Sequence, residues 1–222
     1  MSESKYLVEV ENLQKWFPAR RTVKEVIKGE QRYVKAVDGV SFKIERGEIF
    51  GLVGESGCGK TTTGKLIMKL LDPSGGKITF DNEDVTHLDH VALDKYRQNV
   101  QMVFQDPYAS MNPRFRLRDV LEEPLIIHKK GGSKAERMEM VKKALNEVRL
   151  QPPEEFMVRF PHMLSGGQRQ RGATARSLIL NPKMIVADEP VSMIDLSTRA
   201  EILHMMKSVQ RDLNLTYLYI TH

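Results

Sequence analysis

Cysteine is almost absent from this chain, whose 222 residues include only Cys58. A single cysteine excludes an intrachain disulfide framework and a cysteine-based zinc site. No apolar run approaches the ~20 residues that a membrane-spanning helix needs, and the first residues lack the apolar segment of a secretion signal. We therefore expect a protein of a reducing, cytosolic setting.

Neither sign of charge dominates the sequence. Lysine and arginine total 34 and aspartate and glutamate 29, which gives a formal net charge of +5. A basic surplus is compatible with nucleic acid or anionic lipid as a partner. No long unbroken basic run is present, so a solvated surface is the more common explanation and the charge indicates no particular partner.

A glycine-rich stretch at residues 54–61 reads GESGCGKT and follows an apolar run at residues 49–53. Glycines let the backbone curl until its N–H groups face a phosphate chain, and a following helix adds the positive end of its dipole. Lys60 would reach the β- and γ-phosphates, and the Thr61 hydroxyl would bind Mg²⁺. The alternative is a glycine turn that binds nothing.

Two further stretches suit nucleotide chemistry. Asp188 and Glu189 end an apolar run at residues 184–187, at the strand end where ligands bind in open α/β sheets. Asp188 could hold Mg²⁺ directly or through water, and Glu189 could orient and deprotonate a water, although both could form an ordinary acidic strand end. Residues 164–168, LSGGQ, could form an anion nest or a simple helix cap.

The periodicity of apolar residues predicts alternating strands and helices. Strands are expected at residues 7–10, 40–44, 49–53, 77–80, 100–104, 184–187 and 215–220. Helices are expected at residues 61–71, 134–150, 168–180 and 197–213. Residues 15–21 are expected to form a loop, the stretch up to about residue 35 a surface hairpin or insertion, and the proline-rich residues after 106 a loop-rich segment.

The order of these motifs resembles the nucleotide-binding domain of ABC transporters. The chain carries Walker A, Q-loop, signature, Walker B, D-loop and switch-histidine motifs at residues 54–61, Gln105, 164–168, 184–189, 192–195 and His222. Residues 34–42 and 103–114 are similar to the oligopeptide and dipeptide importers within this family. Two stretches depart from the usual pattern: the D-loop reads SMID instead of SALD, and residues 171–177 read RGATARS instead of RVAIARA.

The resemblance implies an α/β fold: a P-loop NTPase core with a mainly parallel sheet, an N-terminal antiparallel β-subdomain and an inserted α-helical subdomain. It divides a single ABC ATPase domain, residues 1–222, into an ATP-binding core at 1–105 and 176–222 and a helical signature subdomain at about 106–175. Related proteins continue beyond the position of His222, so we expect the usual C-terminal part to be absent from this sequence.

The resemblance also implies that two such domains sandwich two ATP molecules head to tail. Each ATP would lie on the P-loop of one chain and under the signature motif of the other. The P-loop residues that would bind ATP are Gly54, Glu55, Ser56, Gly57, Cys58, Gly59, Lys60, Thr61 and Thr62. The signature residues that would reach the partner's ATP are Ser165, Gly166, Gly167 and Gln168. Asp195 would cross the dimer interface.

Catalytic roles come from the same resemblance. Glu189 would be the general base, His222 would hold the γ-phosphate and the attacking water, and Lys60 would take developing phosphate charge. Gln105 would sense Mg²⁺ and the γ-phosphate and would link the site to membrane subunits, with Thr61, Gln105 and Asp188 around the Mg²⁺. An aromatic residue should stack on adenine; Phe17 is our first choice, with Trp16 and Tyr33 as alternatives.

The expected function is that of the ATP-hydrolysing subunit of an ABC importer for di- and oligopeptides. Its expected partners are a second nucleotide-binding subunit, identical or different, transmembrane permease subunits and, indirectly, an extracytoplasmic substrate-binding protein. This places it at the cytoplasmic face of the cell membrane. The alternatives are an importer or exporter ATPase for another substrate, an ATP-binding regulator without turnover, and an ABC-type ATPase acting on nucleic acid. The last is disfavoured because residues 105–164 leave no room for a long coiled coil, so no nucleic acid is expected.

Overall fold

The computed structural model describes residues 4–21, 29, 31–107 and 109–222. The strands in these ranges are β1 (Tyr6–Pro18), β2 (Tyr33–Glu45), β3 (Ile49–Val53), β4 (Gly75–Phe80), β5 (Glu83–Asp84), β6 (Val100–Val103), β7 (Met184–Asp188) and β8 (Thr216–Thr221). The helices are α1 (Lys60–Ile67), α2 (His90–Asn99), α3 (Leu117–Ile127), α4 (Lys134–Glu147), α5 (Pro153–Met157), α6 (Gly166–Leu178) and α7 (Leu196–Leu213), with a 3₁₀ turn at Pro161–Met163. Most of the predicted insertion before residue 35 lies outside the described residues.

The N-terminal strands form an antiparallel sheet in the order β2-β1-β4-β5. β1 and β2 pair as a long hairpin, in which Val10 lies opposite Phe42 and Phe17 opposite Val34. The prediction of a loop at residues 15–21 is therefore wrong for residues 15–18, which are part of β1. Pairing with β2 keeps this aromatic and basic segment extended, although apolar and polar residues do not alternate along it.

The second sheet is parallel, in the order β3-β8-β7-β6. The prediction of β3 matches the observed bounds, and β7 is buried along its whole length, as a central parallel strand should be. β6, β7 and β8 are adjacent and run in one direction, so their carboxyl ends meet at one edge of the sheet. This edge carries Gln105, Glu189 and His222. The observed sheets confirm the α/β fold class with an antiparallel N-terminal sheet.

Alternate residues of the parallel sheet enter two apolar cores. Met184 and Val186 of β7 pack with α1 and the antiparallel sheet. Ile185 and Ala187 of the same strand pack with α3, α4, α6 and α7. The sheet is thus covered on both faces, which fixes its carboxyl edge relative to α1 on one side and α6 on the other.

Three helices were not predicted, namely α2, α3 and the five-residue α5. Residues after 106 were expected to be loop-rich, yet α3 occupies Leu117–Ile127 with Pro124 inside it. Its buried face of Leu117, Leu121 and Leu125 packs into the helical core and outweighs the helix-breaking tendency of proline. Helix α2 begins at an Asp89 cap that accepts a hydrogen bond from the Ala92 N–H at 2.8 Å.

Candidate nucleotide site

The P-loop joins β3 to α1 in a conformation that requires glycine. Gly59 has a φ of 98°, and a Cβ placed on it would lie 2.1 Å from the Ala36 carbonyl oxygen. A side chain here would collide with the backbone of β2, so any substitution would push the loop away from the sheet. The contact also identifies Ala36 as a residue of the site that the sequence reasoning missed, because no motif marks it.

The P-loop lines a cavity of about 160 Å³. Its walls are Ala36, Ser56, Gly57, Gly59, Lys60, Thr61, Thr62 and Glu189. The Lys60 ammonium donates to the carbonyl oxygens of Gly54 and Glu55 at 2.6 and 2.7 Å, which keeps it folded over the loop. Cys58 is exposed, with its Sγ 3.9 Å from Lys60 Nζ. The cavity therefore brings most of the predicted P-loop residues to one place, facing Glu189.

Asp188 faces the start of α1 from the end of β7. The Thr61 hydroxyl donates to Asp188 Oδ1 at 3.2 Å. Burial raises the pKa of the Asp188 carboxyl, while the hydrogen bond from Thr61 partly offsets that rise. A hydroxyl and a carboxylate are hard oxygen ligands of the kind that Mg²⁺ prefers.

Glu189 lies between Gln105 and His222 at the carboxyl edge of the parallel sheet. Its φ of 45° is in the left-handed region, which is uncommon for a non-glycine residue, and its N–H donates to the Ile220 carbonyl at 3.0 Å. Gln105 Nε2 donates to Glu189 Oε2 at 2.9 Å, and His222 Nδ1 lies 3.5 Å from Glu189 Oε1. The two carboxylate oxygens are thus each faced by one neighbour, and the backbone conformation directs the side chain into the cavity.

The signature residues form a helix cap at the start of α6. The Gln168 N–H donates to Ser165 Oγ at 3.2 Å, and the Ser165 N–H donates to Gln168 Oε1 at 3.0 Å. Ser165, Gly167 and Gln168 border a separate cavity of about 300 Å³, which shares no lining residue with the P-loop cavity. Within one chain, the signature and the P-loop therefore lie at different sites.

Asp195 caps α7. Its carboxylate accepts hydrogen bonds from the Thr198 hydroxyl, the Ser197 hydroxyl and the Thr198 N–H at 2.6, 2.7 and 3.1 Å. These donors, with the Thr198 hydroxyl foremost, lower the pKa of Asp195 to about 2. The carboxylate of Asp195 is therefore ionised and hydrogen-bonded within its own chain. Because the residue is exposed, a second chain could still contact it.

The three candidate aromatic residues lie at the end of the β1–β2 hairpin where the chain passes from one strand to the other, next to the pair of Pro18 and Tyr33. Phe17 is 36% exposed and Tyr33 55% exposed. The Trp16 indole instead donates to Asp38 Oδ1 at 3.2 Å, with Lys35 Nζ 4.8 Å from its ring centroid. Trp16 is thus held by contacts on β2. Phe17 is covered in part by Lys15, whose Nζ lies 5.3 Å from its ring centroid, and Tyr33 is the more exposed of the remaining two.

The sequence and the fold of this chain are both similar to those of known proteins. The sequence model of the ABC transporter family matches residues 37–192. The oligopeptide transport ATP-binding protein AppF of Bacillus subtilis is 46% identical over 97% of this chain and 64% of its own length. The dipeptide transport ATP-binding protein DppF of Escherichia coli is 44% identical, with coverage of 97% and 63%.

A dimeric, post-hydrolysis structure of the ATP-binding cassette MJ0796, bound to ADP and Pi, resembles the fold with a TM-score of 0.81. It is 30% identical to this chain, and the alignment covers 97% of this chain and 88% of that one.

The chain belongs to the ABC transporter family. It spans a little under two thirds of the length of these two relatives, with 64% and 63% of each covered. None of the helices in the described part of the chain combines the length and apolar character needed to cross a membrane.

Proposed function

We propose that this chain binds and hydrolyses ATP as the energising subunit of an ABC importer for di- and oligopeptides. The observation that carries the proposal is the approach of four separate motifs to one cavity: Lys60 and Thr61 from the P-loop, Asp188 and Glu189 from Walker B, Gln105 and His222. The similarity to an oligopeptide and a dipeptide transport ATP-binding protein supports the substrate class.

Phosphate binding is the first task of the site. The P-loop N–H groups and the start of α1 offer hydrogen bonds and a positive dipole end to the β- and γ-phosphates. Lys60 would exchange its contacts with the Gly54 and Glu55 carbonyls for phosphate oxygens. ATP binding by one chain therefore depends on Lys60, and Phe17 remains our choice for the adenine contact.

Mg²⁺ fits the oxygen atoms that Thr61 and Asp188 place together. Thr61, Gln105 and Asp188 would hold the ion, directly or through water. When bound, Mg²⁺ supplies positive charge that neutralises the phosphate oxygens. The raised pKa of Asp188 falls again when a cation approaches its carboxylate, so the buried carboxyl is suited to a charged ligand.

Hydrolysis needs a base beside the γ-phosphate. Glu189 would accept a proton from the attacking water, while Gln105 and His222 hold its carboxylate and the water in position. Lys60 would balance the charge that develops on the phosphate oxygens. The protein's contribution is thus positioning and charge stabilisation around a water molecule.

A second chain would complete the site. Ser165, Gly166, Gly167 and Gln168 form an anion-binding helix start that lies away from the P-loop of the same chain. A head-to-tail pair of chains, identical or different, would place each signature on the ATP of the other, with Asp195 at the interface. The dimeric form of MJ0796 supports this arrangement.

The membrane partner would bind in an apolar groove beside Gln105. The groove has a volume of about 230 Å³, and its walls include Leu70, Met102, Phe104, Ile127 and Arg176. Phe104 and Ile127 are exposed, and Phe104 directly precedes Gln105. A permease segment in this groove would therefore act on the segment that contacts Glu189. In this arrangement the chain would lie at the cytoplasmic face of the membrane, and a substrate-binding protein would contribute indirectly through the permease.

The proposal is tested with Glu189→Gln, which keeps the size of the side chain and removes its basicity. We expect ATP hydrolysis to fall about 100-fold or more, while ATP now holds two chains together as a stable dimer in size-exclusion chromatography. Glu83→Gln, at an exposed position on β5, is the control that should change neither property. Equal hydrolysis by the wild type and Glu189→Gln would show that Glu189 is not the base.

A further inference from the structure

The two signature glycines have different surroundings. A Cβ placed on Gly166 would meet no atom within 4 Å, whereas one on Gly167 would lie 2.5 Å from the Thr198 methyl carbon, Cγ2. Gly167 has ordinary helical backbone at the start of α6, where alanine would be the better helix former. The requirement for glycine at this position therefore comes from the close approach of Thr198 on α7.

The polar side of Thr198 is fixed to the D-loop. Its hydroxyl donates to Asp195 at 2.6 Å and its N–H donates to the same carboxylate at 3.1 Å. The next residue, Arg199, donates from Nε to the Ile194 carbonyl at 2.8 Å and from Nη2 to the Ser192 carbonyl at 3.2 Å. The first turn of α7 is thus held to the D-loop by several hydrogen bonds.

The D-loop is in turn fixed to Glu189. Both the N–H and the hydroxyl of Ser192 donate to the Glu189 carbonyl, at 3.1 and 3.0 Å. Because Ile194 is buried in the helical core, this turn is anchored on its inner side as well. A continuous set of contacts therefore runs from Glu189 through the D-loop and Thr198 to Gly167.

We propose that Thr198 is a positioning residue for the signature motif. Its methyl group sets the position of Gly167, and its backbone N–H, together with the Arg199 side chain, holds that position relative to the D-loop. This inference deepens the proposed function and rests on it, since Gly167 of one chain would contact the ATP of the other. Thr198 thereby links two sites of its own chain. One is the signature, which would contact the ATP of the partner chain, and the other is Glu189, which would act on the ATP bound by its own chain.

A size-exchange experiment tests the contact without ATP. Gly167→Ala should lower the melting temperature when Thr198 is present, because the new methyl group collides with Cγ2. In a Thr198→Ser background the collision is absent, so the same alanine should leave the melting temperature unchanged or raise it, as helix propensity favours. Equal changes in melting temperature from Gly167→Ala in both backgrounds would show that the Thr198 methyl group does not restrict this position.

A second experiment tests the positioning role, in the Glu189→Gln chain that ATP should hold as a dimer. Thr198→Ser keeps the hydroxyl and removes the methyl group, and Thr198→Val does the opposite. We expect the ATP concentration for half-maximal dimerisation to rise about fivefold with serine and less than about twofold with valine, by analogy with loss of one packed methyl group. ATP affinity of the monomer, measured with a fluorescent ATP analogue, should not change in either variant.

The outcomes separate this inference from the proposed function. Equal effects of serine and valine, or a larger effect of valine, would overturn the role of the methyl group while leaving the two-chain site intact. A change in monomer ATP affinity that matches the change in dimerisation would overturn it too, because it would indicate general damage to the P-loop. Failure of Glu189→Gln itself to dimerise would overturn the two-chain site, and the role of Thr198 in it, whatever the melting temperatures show.

Discussion

Gln105 and Glu189 are joined by a hydrogen bond of 2.9 Å between Nε2 and Oε2, although 84 positions separate them in the sequence. Gln105 follows β6 and Glu189 follows β7, and these strands are neighbours in the parallel sheet. His222 follows β8, the next strand, and lies 3.5 Å from the other carboxylate oxygen. The strand order alone therefore assembles the groups around the proposed base.

Replacement of Gln105 by glutamate should alter the pH dependence of ATP hydrolysis. In this variant two carboxyl groups would lie side by side, and removal of the last proton from the pair would be less favourable because like charges repel. A base must be deprotonated, so the acidic limb of the kcat–pH profile should move to higher pH. Gln105→Ala should instead lower kcat about tenfold, through lost orientation, with little change in that limb.

A matched control for this profile is Gln101→Glu. Gln101 lies on β6, the strand that precedes Gln105, and its side chain donates to the Arg97 carbonyl, so it is the same type of residue but does not contact Glu189. Its substitution should leave the acidic limb in place. An unchanged limb in Gln105→Glu as well would contradict the proposed coupling between Gln105 and Glu189.

Alkylation of Cys58 should block ATP binding. The thiol is exposed within the P-loop, and its Sγ lies 3.9 Å from Lys60 Nζ, so an added maleimide would occupy the space that phosphate needs. MgATP should protect the thiol. Since Cys58 is the only cysteine in the sequence, the modification rate is read directly by mass spectrometry of the intact chain. Equal rates with and without MgATP would contradict the position assigned to the nucleotide.

Asp81 should stabilise the fold by joining the two sheets. Its carboxylate pairs with Lys183, just before β7, and with Arg46, just after β2, and these two partners lower its pKa. Asp81→Asn should reduce the free energy of unfolding by about 1–2 kcal/mol at pH 7. Urea unfolding measures this change, and Asp212→Asn, at an exposed position on α7, is the control.

The pH dependence of this difference has a defined sign. The folded pKa of Asp81 is lower than the unfolded value, so its contribution is fully present above an unfolded pKa of about 4 and is lost as the pH falls through the folded pKa. The gap between wild type and Asp81→Asn should therefore close as the pH falls below about 4. A gap that does not depend on pH would contradict the ion-pair explanation.

Much of the parallel sheet could be predicted from the sequence. β7 and β8 are short apolar runs in the interior of the sheet, and burial on both faces of a parallel sheet produces that pattern directly. β3 is also an apolar run, although it lies at the edge of the sheet and none of its residues is fully buried. The segment 15–18 was misassigned because its extended form depends on pairing with β2, which no local pattern reveals. Helix α3 was missed because Pro124 resembles a break when its buried leucines are not known.

Part of the candidate site could likewise be predicted from the sequence, and part could not. Lys60, Thr61 and Asp188 belong to motifs whose spacing indicates phosphate and Mg²⁺ chemistry, so their grouping could be predicted. The contact of Ala36 with Gly59, and that of Thr198 with Gly167, depend on how distant elements pack. Such contacts leave only an unexplained glycine in the sequence, which is why their partners could not be named in advance.

A mixing experiment tests the central claim, that each active site needs two chains. One variant carries Lys60→Ala, which disables its P-loop, and the other carries Ser165→Arg, which disables its signature. Neither variant should hydrolyse ATP alone. Random pairing makes about half of the dimers mixed, and each mixed dimer has one intact site of two, so an equal mixture should recover about one quarter of the wild-type rate. A mixture that stays as inactive as its components would contradict the two-chain site.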